Sequence, residues 1–232
     1  MSVIELRQYT LHAGRRDELI ELFEREFVES QEACGIELVG TFRDVSDPER
    51  FVWLRRFPDM VARAASLEAF YDGAVWREHR TAANATMVDS DDVLLLRPVS
   101  DRFDVARKRR TASAEAGPRG SALALSIADV SGWDEDAVTA AFESDVAPAL
   151  VAAGFSLVAG WVTAHDRTPS RGFRSARMPM SWCGSAQEPV RCKTYPSRLC
   201  RGRSRLVACF QRLARCCLRT RRGVAKPMRL RL

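Results

Sequence analysis

The chain has 232 residues, 46% of them hydrophobic, and a formal net charge of +6. That length holds one large domain or two small ones, and the apolar fraction suffices for a core. No apolar run approaches the roughly 18 residues that span a bilayer, and the start Met1-Ser2-Val3-Ile4-Glu5-Leu6-Arg7 lacks the basic region and apolar core of a signal peptide, so a cytoplasmic location is expected.

Residues 3–11 are rich in β-formers and end at a Gly14 turn, which predicts a strand. From Arg16 the period becomes helical, with Leu19, Phe23 and Phe27 four apart, acids at Asp17, Glu18 and Glu21 in the early turns, and Gly35 as the stop. Strands are predicted at 36–43 and 50–57, joined by the turn Ser46-Asp47-Pro48-Glu49 as a hairpin. Helical pattern returns over 60–71 and roughly 75–86, broken at Asp72-Gly73, and a last strand at 93–97 ends at Pro98. The order β-α-β-β-α-β is the ferredoxin-like arrangement, in the α+β class.

A second copy then begins. After a polar, basic linker at 101–121 come a strand from Ala122 to Ile127, a helix from Asp134 to Ala153 that Pro148 is expected to kink, and Gly154-Phe155-Ser156-Leu157-Val158-Ala159-Gly160-Trp161. That last run parallels Gly35-Ile36-Glu37-Leu38-Val39-Gly40-Thr41-Phe42, a stop glycine followed by an alternating strand. Past Asp166 the periodicity fails, leaving an incomplete βαβ copy over 122–166.

The net charge averages two opposites. Residues 1–166 carry 18 Lys+Arg against 29 Asp+Glu, a net of −11, whereas 167–232 carry 18 Lys+Arg and the single acid Glu188, a net of +17. Six of the seven cysteines also follow residue 166. We expect this tail to be largely disordered or the product of a shifted reading frame. Back-translation of residues 168–185 with a one-base slip permits a hidden segment ending Val-Leu-Val-Trp-Phe. That echoes Phe51-Val52-Trp53-Leu54, the strand the second copy lacks.

Three segments carry a family resemblance. Glu5-Leu6-Arg7-Gln8-Tyr9-Thr10-Leu11 with Gly14, then Phe51-Val52-Trp53-Leu54-Arg55-Arg56-Phe57-Pro58-Asp59-Met60, then Leu67-Glu68-Ala69-Phe70-Tyr71 with Val75-Trp76-Arg77-Glu78-His79-Arg80, together resemble NIPSNAP proteins. The resemblance covers 3–98 well and 122–166 less well. It implies tandem domains and a dimeric α+β barrel, in which two ferredoxin-like units pair sheet to sheet. It implies no particular reaction. Monooxygenases and haem-degrading enzymes in the wider superfamily are an analogy of fold alone.

Strand 1 alternates Glu5, Arg7 and Tyr9 against Ile4 and Leu6, and strand 3 alternates Trp53 and Arg55 against Val52 and Leu54. The aliphatic faces are expected to meet the helices, which turns Arg7, Tyr9, Trp53 and Arg55 into the barrel. Guanidinium groups between aromatic walls suit a planar or anionic small molecule. The plainer assignment pairs the arginines with Glu5 as filling. His79 follows Trp76 by three residues on a helix and is a candidate general base, or an ordinary hydrogen-bonded surface histidine.

His12 and His165 lie far from it, no metal-ligand spacing occurs, and no cofactor or metal is expected. The tail lacks a Cys-x-x-Cys pair, and Cys216 and Cys217 are adjacent, which argues against a zinc site. Its +17 charge would hold nucleic acid without sequence specificity. The expected function is a small ligand or protein partner bound through the barrel face. The alternatives are a small-molecule oxygenase or isomerase and a nonspecific nucleic-acid binder. An incomplete second copy would leave the first sheet exposed on one face, so self-association through that face is expected.

Overall fold

β1 (Val3–Leu11) is the hub of the first unit, pairing antiparallel with β3 (Arg50–Phe57) on one side and β4 (Met87–Pro98) on the other. β2 (Glu37–Asp44) flanks β3, so the strands run β4-β1-β3-β2. This is a computed structural model, and it describes residues 2–104, 122–130, 132–165, 205–212 and 228–231. A long helical segment joins β1 to β2. It comprises α1 (Arg16–Leu22), one π-helical turn (Phe23–Phe27) and α2 (Val28–Ala33). α3 (Met60–Tyr71) and α4 (Ala74–Asn84) join β3 to β4. Asp59 starts α3 by accepting a hydrogen bond from the Ala62 amide.

The second unit repeats this local plan. β5 (Ala122–Asp129) leads to α5 (Glu135–Ala141), a π-helical turn (Phe142–Val146), α6 (Ala147–Ala152) and β6 (Ser156–Thr163). Phe23 and Phe142 open the two π turns, and Gly35 and Gly154 both take left-handed φ at the helix ends. Both pairs are 119 positions apart (142 minus 23, 154 minus 35). The register shifts at Leu38/Gly40 and Leu157/Ala159 have the same spacing. Each π turn is closed by a wide bond, from the Val28 amide to the Phe23 carbonyl and from the Ala147 amide to the Phe142 carbonyl. The expected kink at Pro148 is thus a π turn, with the proline in the first turn of α6, where its missing N–H costs little.

The sequence pattern stops the second copy at residue 166, but the backbone pairing continues it. β7 (Arg205–Arg212) lies between β5 and β6, and β8 (Met228–Arg231) lies on the other side of β5. The order β8-β5-β7-β6 matches that of the first unit, and no helix between β7 and β8 lies among the described residues. Pairing of β2 with β8 and of β4 with β6 closes an eight-stranded antiparallel barrel. The rest of the tail, including the segment read for a shifted frame, lies outside the described residues.

Three apolar layers result. Ile4, Leu6, Val52, Leu54, Leu96, Leu125, Ala159 and Trp161 fill the barrel. Tyr9, Phe51, Trp53 and Phe57 pack outward against Phe23, Phe27, Leu67 and Phe70 of the first helix layer. Val138, Phe142, Ala147 and Phe155 form a second helix layer with Val99, Phe103 and Val162.

One expectation is corrected here. The aliphatic face of β1 and β3 points into the barrel, and the face bearing Arg7, Tyr9, Trp53 and Arg55 meets the helices. An eight-stranded barrel is filled by its own apolar side chains, whereas the helices offer rings and a buried arginine, Arg63, to meet the aromatic and charged ones. The barrel face of the first sheet packs against Leu125, Ala159 and Trp161 of the same chain. Among the described residues, no helix is long and apolar enough to cross a membrane.

Candidate functional site

Glu5 lies at the centre of the interface between sheet and helices and is fully buried. Its Oε2 accepts from Arg55 Nε at 2.6 Å and Arg7 Nη1 at 3.2 Å, and its Oε1 accepts from Arg63 Nε at 2.6 Å. Strand register brings Arg55 directly across from Glu5 and Trp53 across from Arg7. Arg63 reaches in from α3, on the buried stripe with Met60, Leu67 and Phe70. Burial works to raise the Glu5 carboxyl. The Arg55, Arg7 and Arg63 guanidinium groups outweigh it and hold that carboxyl far below the usual carboxylate range. One buried carboxylate therefore faces three buried guanidinium groups, a surplus of two positive charges where water is excluded.

That surplus is passed to neutral groups. Arg7 Nε donates to Tyr9 Oη at 2.9 Å, and its Nη2 donates to the Ser90 carbonyl at 3.3 Å. Burial pushes the Tyr9 phenol up, keeping it protonated. Its oxygen already accepts from Arg7, so its own hydrogen is left to donate. Arg55 Nη1 donates to Gln31 Oε1 at 3.1 Å. Because arginine only donates, this contact assigns the Gln31 carbonyl and turns its NH2 the other way. Both guanidinium groups stack on Trp53, with Cζ 5.5 Å (Arg7) and 5.0 Å (Arg55) from the ring centroid. The buried Trp53 Nε1 has no hydrogen-bond partner among the described residues.

Tyr9, Gln31 and Trp53 line a cleft beside this cluster, together with Phe23, Phe27, Phe70, Tyr71, Trp76 and Met87. Its free volume is about 20 Å³, room for a water molecule. Its polar groups are the Tyr9 and Tyr71 hydroxyls, the Gln31 amide and the Trp53 and Trp76 indole N–H groups, and the remainder is largely aromatic. Trp76 closes the outer side, its ring 5.4 Å from Phe27, 5.7 Å from Phe70 and 5.0 Å from Tyr71. It rides on α4, which packs on the core through the fully buried Ala83 and the partly buried Val75 and Trp76.

Of the five residues expected at a site, Tyr9 and Trp53 line the cleft, and Arg7 and Arg55 stand directly behind them. His79 does not line it. It sits at the rim, its Nε2 3.4 Å from Glu26 Oε2 and its ring 6.4 Å from Phe27. Sequence reading missed Arg63, Gln31 and the helix rings. Arg63 had a visible signal, as a cation at the i+3 position of an otherwise apolar helix stripe. Gln31 had none. Among the described residues, no cluster of His, Cys, Asp or Glu is arranged to hold a metal.

The NIPSNAP family model matches residues 4–101, the stretch that builds the cleft. Residues 4–101 are a NIPSNAP domain. A NIPSNAP family protein from Agrobacterium tumefaciens is 19% identical over 46% of this chain and 100% of its own, with a TM-score of 0.42. An uncharacterized NIPSNAP-like domain protein from Burkholderia xenovorans is 23% identical over 48% of this chain and 97% of its own, with a TM-score of 0.43. A protein from Lactobacillus acidophilus provisionally named a monooxygenase is 12% identical over 90% of this chain and 76% of its own, with a TM-score of 0.50. That last likeness is one of fold and extends over both units of the barrel. No curated protein matches the chain. The cleft belongs to the NIPSNAP domain alone. The positions 119 after Glu5, Arg7 and Tyr9 are Ala124, Ser126 and Ala128, and the position 119 after Gln31 is Leu150, so the second unit carries no equivalent charge cluster.

Proposed function

We propose that the NIPSNAP domain binds a small anion in the cleft between its sheet and its helices. The observation that carries this reading is the ratio of three buried guanidinium groups to one buried carboxylate, behind a wall that carries the Tyr9, Gln31 and Trp53 donors. Such a wall repels cations and leaves neutral acceptors undercompensated, whereas an anion offsets the surplus charge. The site sits outside the barrel, so the barrel supplies a rigid support and the helices supply the entrance.

Thermal unfolding of the full chain with a panel of small anions, at matched ionic strength against chloride, tests this. A ligand at a hundred times its Kd adds about 2.7 kcal/mol, and each kcal/mol raises Tm by about 2–4 °C for a chain of this size. A rise of several degrees that is lost in Tyr9→Phe or Arg7→Gln supports the assignment. No shift from any anion sinks it.

An oxygenase or isomerase reading has the provisional name of the Lactobacillus protein behind it. It predicts oxygen uptake or conversion of a bound anion by the chain. A ligand recovered unchanged, with no oxygen consumed, would remove that reading and leave binding intact.

A further inference from the structure

We propose that the anion is a planar aromatic carboxylate, with its ring in the slot now held by Trp76 and its carboxylate on the Tyr9, Gln31 and Trp53 donors. This rests on the anion-binding reading and narrows it to one chemical class. The cleft has space for a water, so a larger ligand enters only if a wall moves. The outer wall is the one taken to move, because Trp76 is only partly buried and α4, which packs through Val75, Trp76 and Ala83, follows the Asp72-Gly73 break.

The slot that Trp76 occupies is ready-made for a flat ring. Phe27, Phe70 and Tyr71 surround the indole at edge and tilted angles, the geometries aromatic pairs favour. Phe23 adds a further ring against Trp53, 4.9 Å between centroids, at the inner end. A ring exchanged for the indole keeps those contacts.

The inner end reads charge. Trp53 Nε1 is buried with no partner, a cost that a carboxylate oxygen removes. Tyr9 Oη and the Gln31 amide are each fixed from behind by an arginine, which orients them and polarises their hydrogens toward the cleft. Three donors on one wall suit the two oxygens of a carboxylate.

The test is equilibrium binding to the full chain, read by tryptophan fluorescence and calorimetry, with benzoate, benzyl alcohol, acetate and inorganic phosphate at constant ionic strength. Benzoate should bind about tenfold to a hundredfold more tightly than benzyl alcohol, the ratio expected for charge-assisted hydrogen bonds. It should also exceed acetate and phosphate by at least tenfold. Tyr9→Phe should weaken benzoate about tenfold and leave benzyl alcohol unchanged. Trp76→Ala, which empties the slot, should retain or tighten benzoate.

If benzyl alcohol binds as tightly as benzoate, the carboxylate assignment is overturned. If acetate or phosphate matches benzoate, the aromatic slot is overturned while the anion site stands. Loss of benzoate binding in Trp76→Ala, with unchanged circular dichroism, overturns the exchange of ring for indole. No binding by any of the four overturns both this inference and the reading it rests on.

Discussion

Glu5 holds three guanidinium groups together, and its charge is what makes their burial tolerable. Replacing it by glutamine keeps the shape and removes the compensation. Breaking one side of a buried ion pair costs about 3–5 kcal/mol, so Glu5→Gln should lower Tm by roughly ten degrees in a thermal melt. If the variant melts like the parent, the cluster is not under charge strain. The same residue sets an acid limit. Its folded-state affinity for protons is depressed, so its contribution is fully present above the ordinary glutamate range near about 4.3. It is then lost as pH falls toward the folded value. Melts between pH 7 and pH 3 should show stability falling below about pH 5, with a shallower fall in Glu5→Gln. At this scale the sequence was informative about identity and uninformative about direction. Arg7, Tyr9, Trp53 and Arg55 stood out as misplaced among aliphatics. Which side of the sheet they faced depended on what each side had room for.

The elements were largely legible. The predicted strand at 50–57 and helix at 60–71 coincide with β3 and α3, because hydrophobic period is a local signal. β4 extends well beyond the predicted 93–97, from Met87 to Pro98. Its first half, Met87-Val88-Asp89-Ser90-Asp91-Asp92, is polar, and it pairs with β1 through register shifts that no periodicity encodes. The π turns were also invisible, since a wide turn adds one residue to a pattern that tolerates such slippage. In the second unit the tight spot is Gly160, where a Cβ would meet the fully buried Phe142 ring at 2.5 Å. Gly160→Ala should therefore cost about 1–3 kcal/mol by overpacking, measured by denaturant unfolding. A neutral result would mean that the α5–α6 layer does not bear on β6.

At the scale of the whole molecule the question is what covers the first sheet. A half-copy ending at residue 166 predicts a bare sheet and self-association. In the closed barrel Leu125, Ala159 and Trp161 of the same chain cover that face. Sedimentation should then show a monomer. A dimer would mean that the cover comes from a second chain. The charge contrast between a body of −11 and a tail of +17 also belongs to this scale, since it survives whatever the tail's path.

From the sequence alone came the ferredoxin-like order of the first unit, the beginning of a second, and the residue types of a site, because each is written in short-range pattern. The tertiary structure alone decided which face of the sheet carries that site, which helix residues complete it, and that the barrel closes on itself. Those outcomes depend on volumes and strand partners far apart along the chain, and no local period records them.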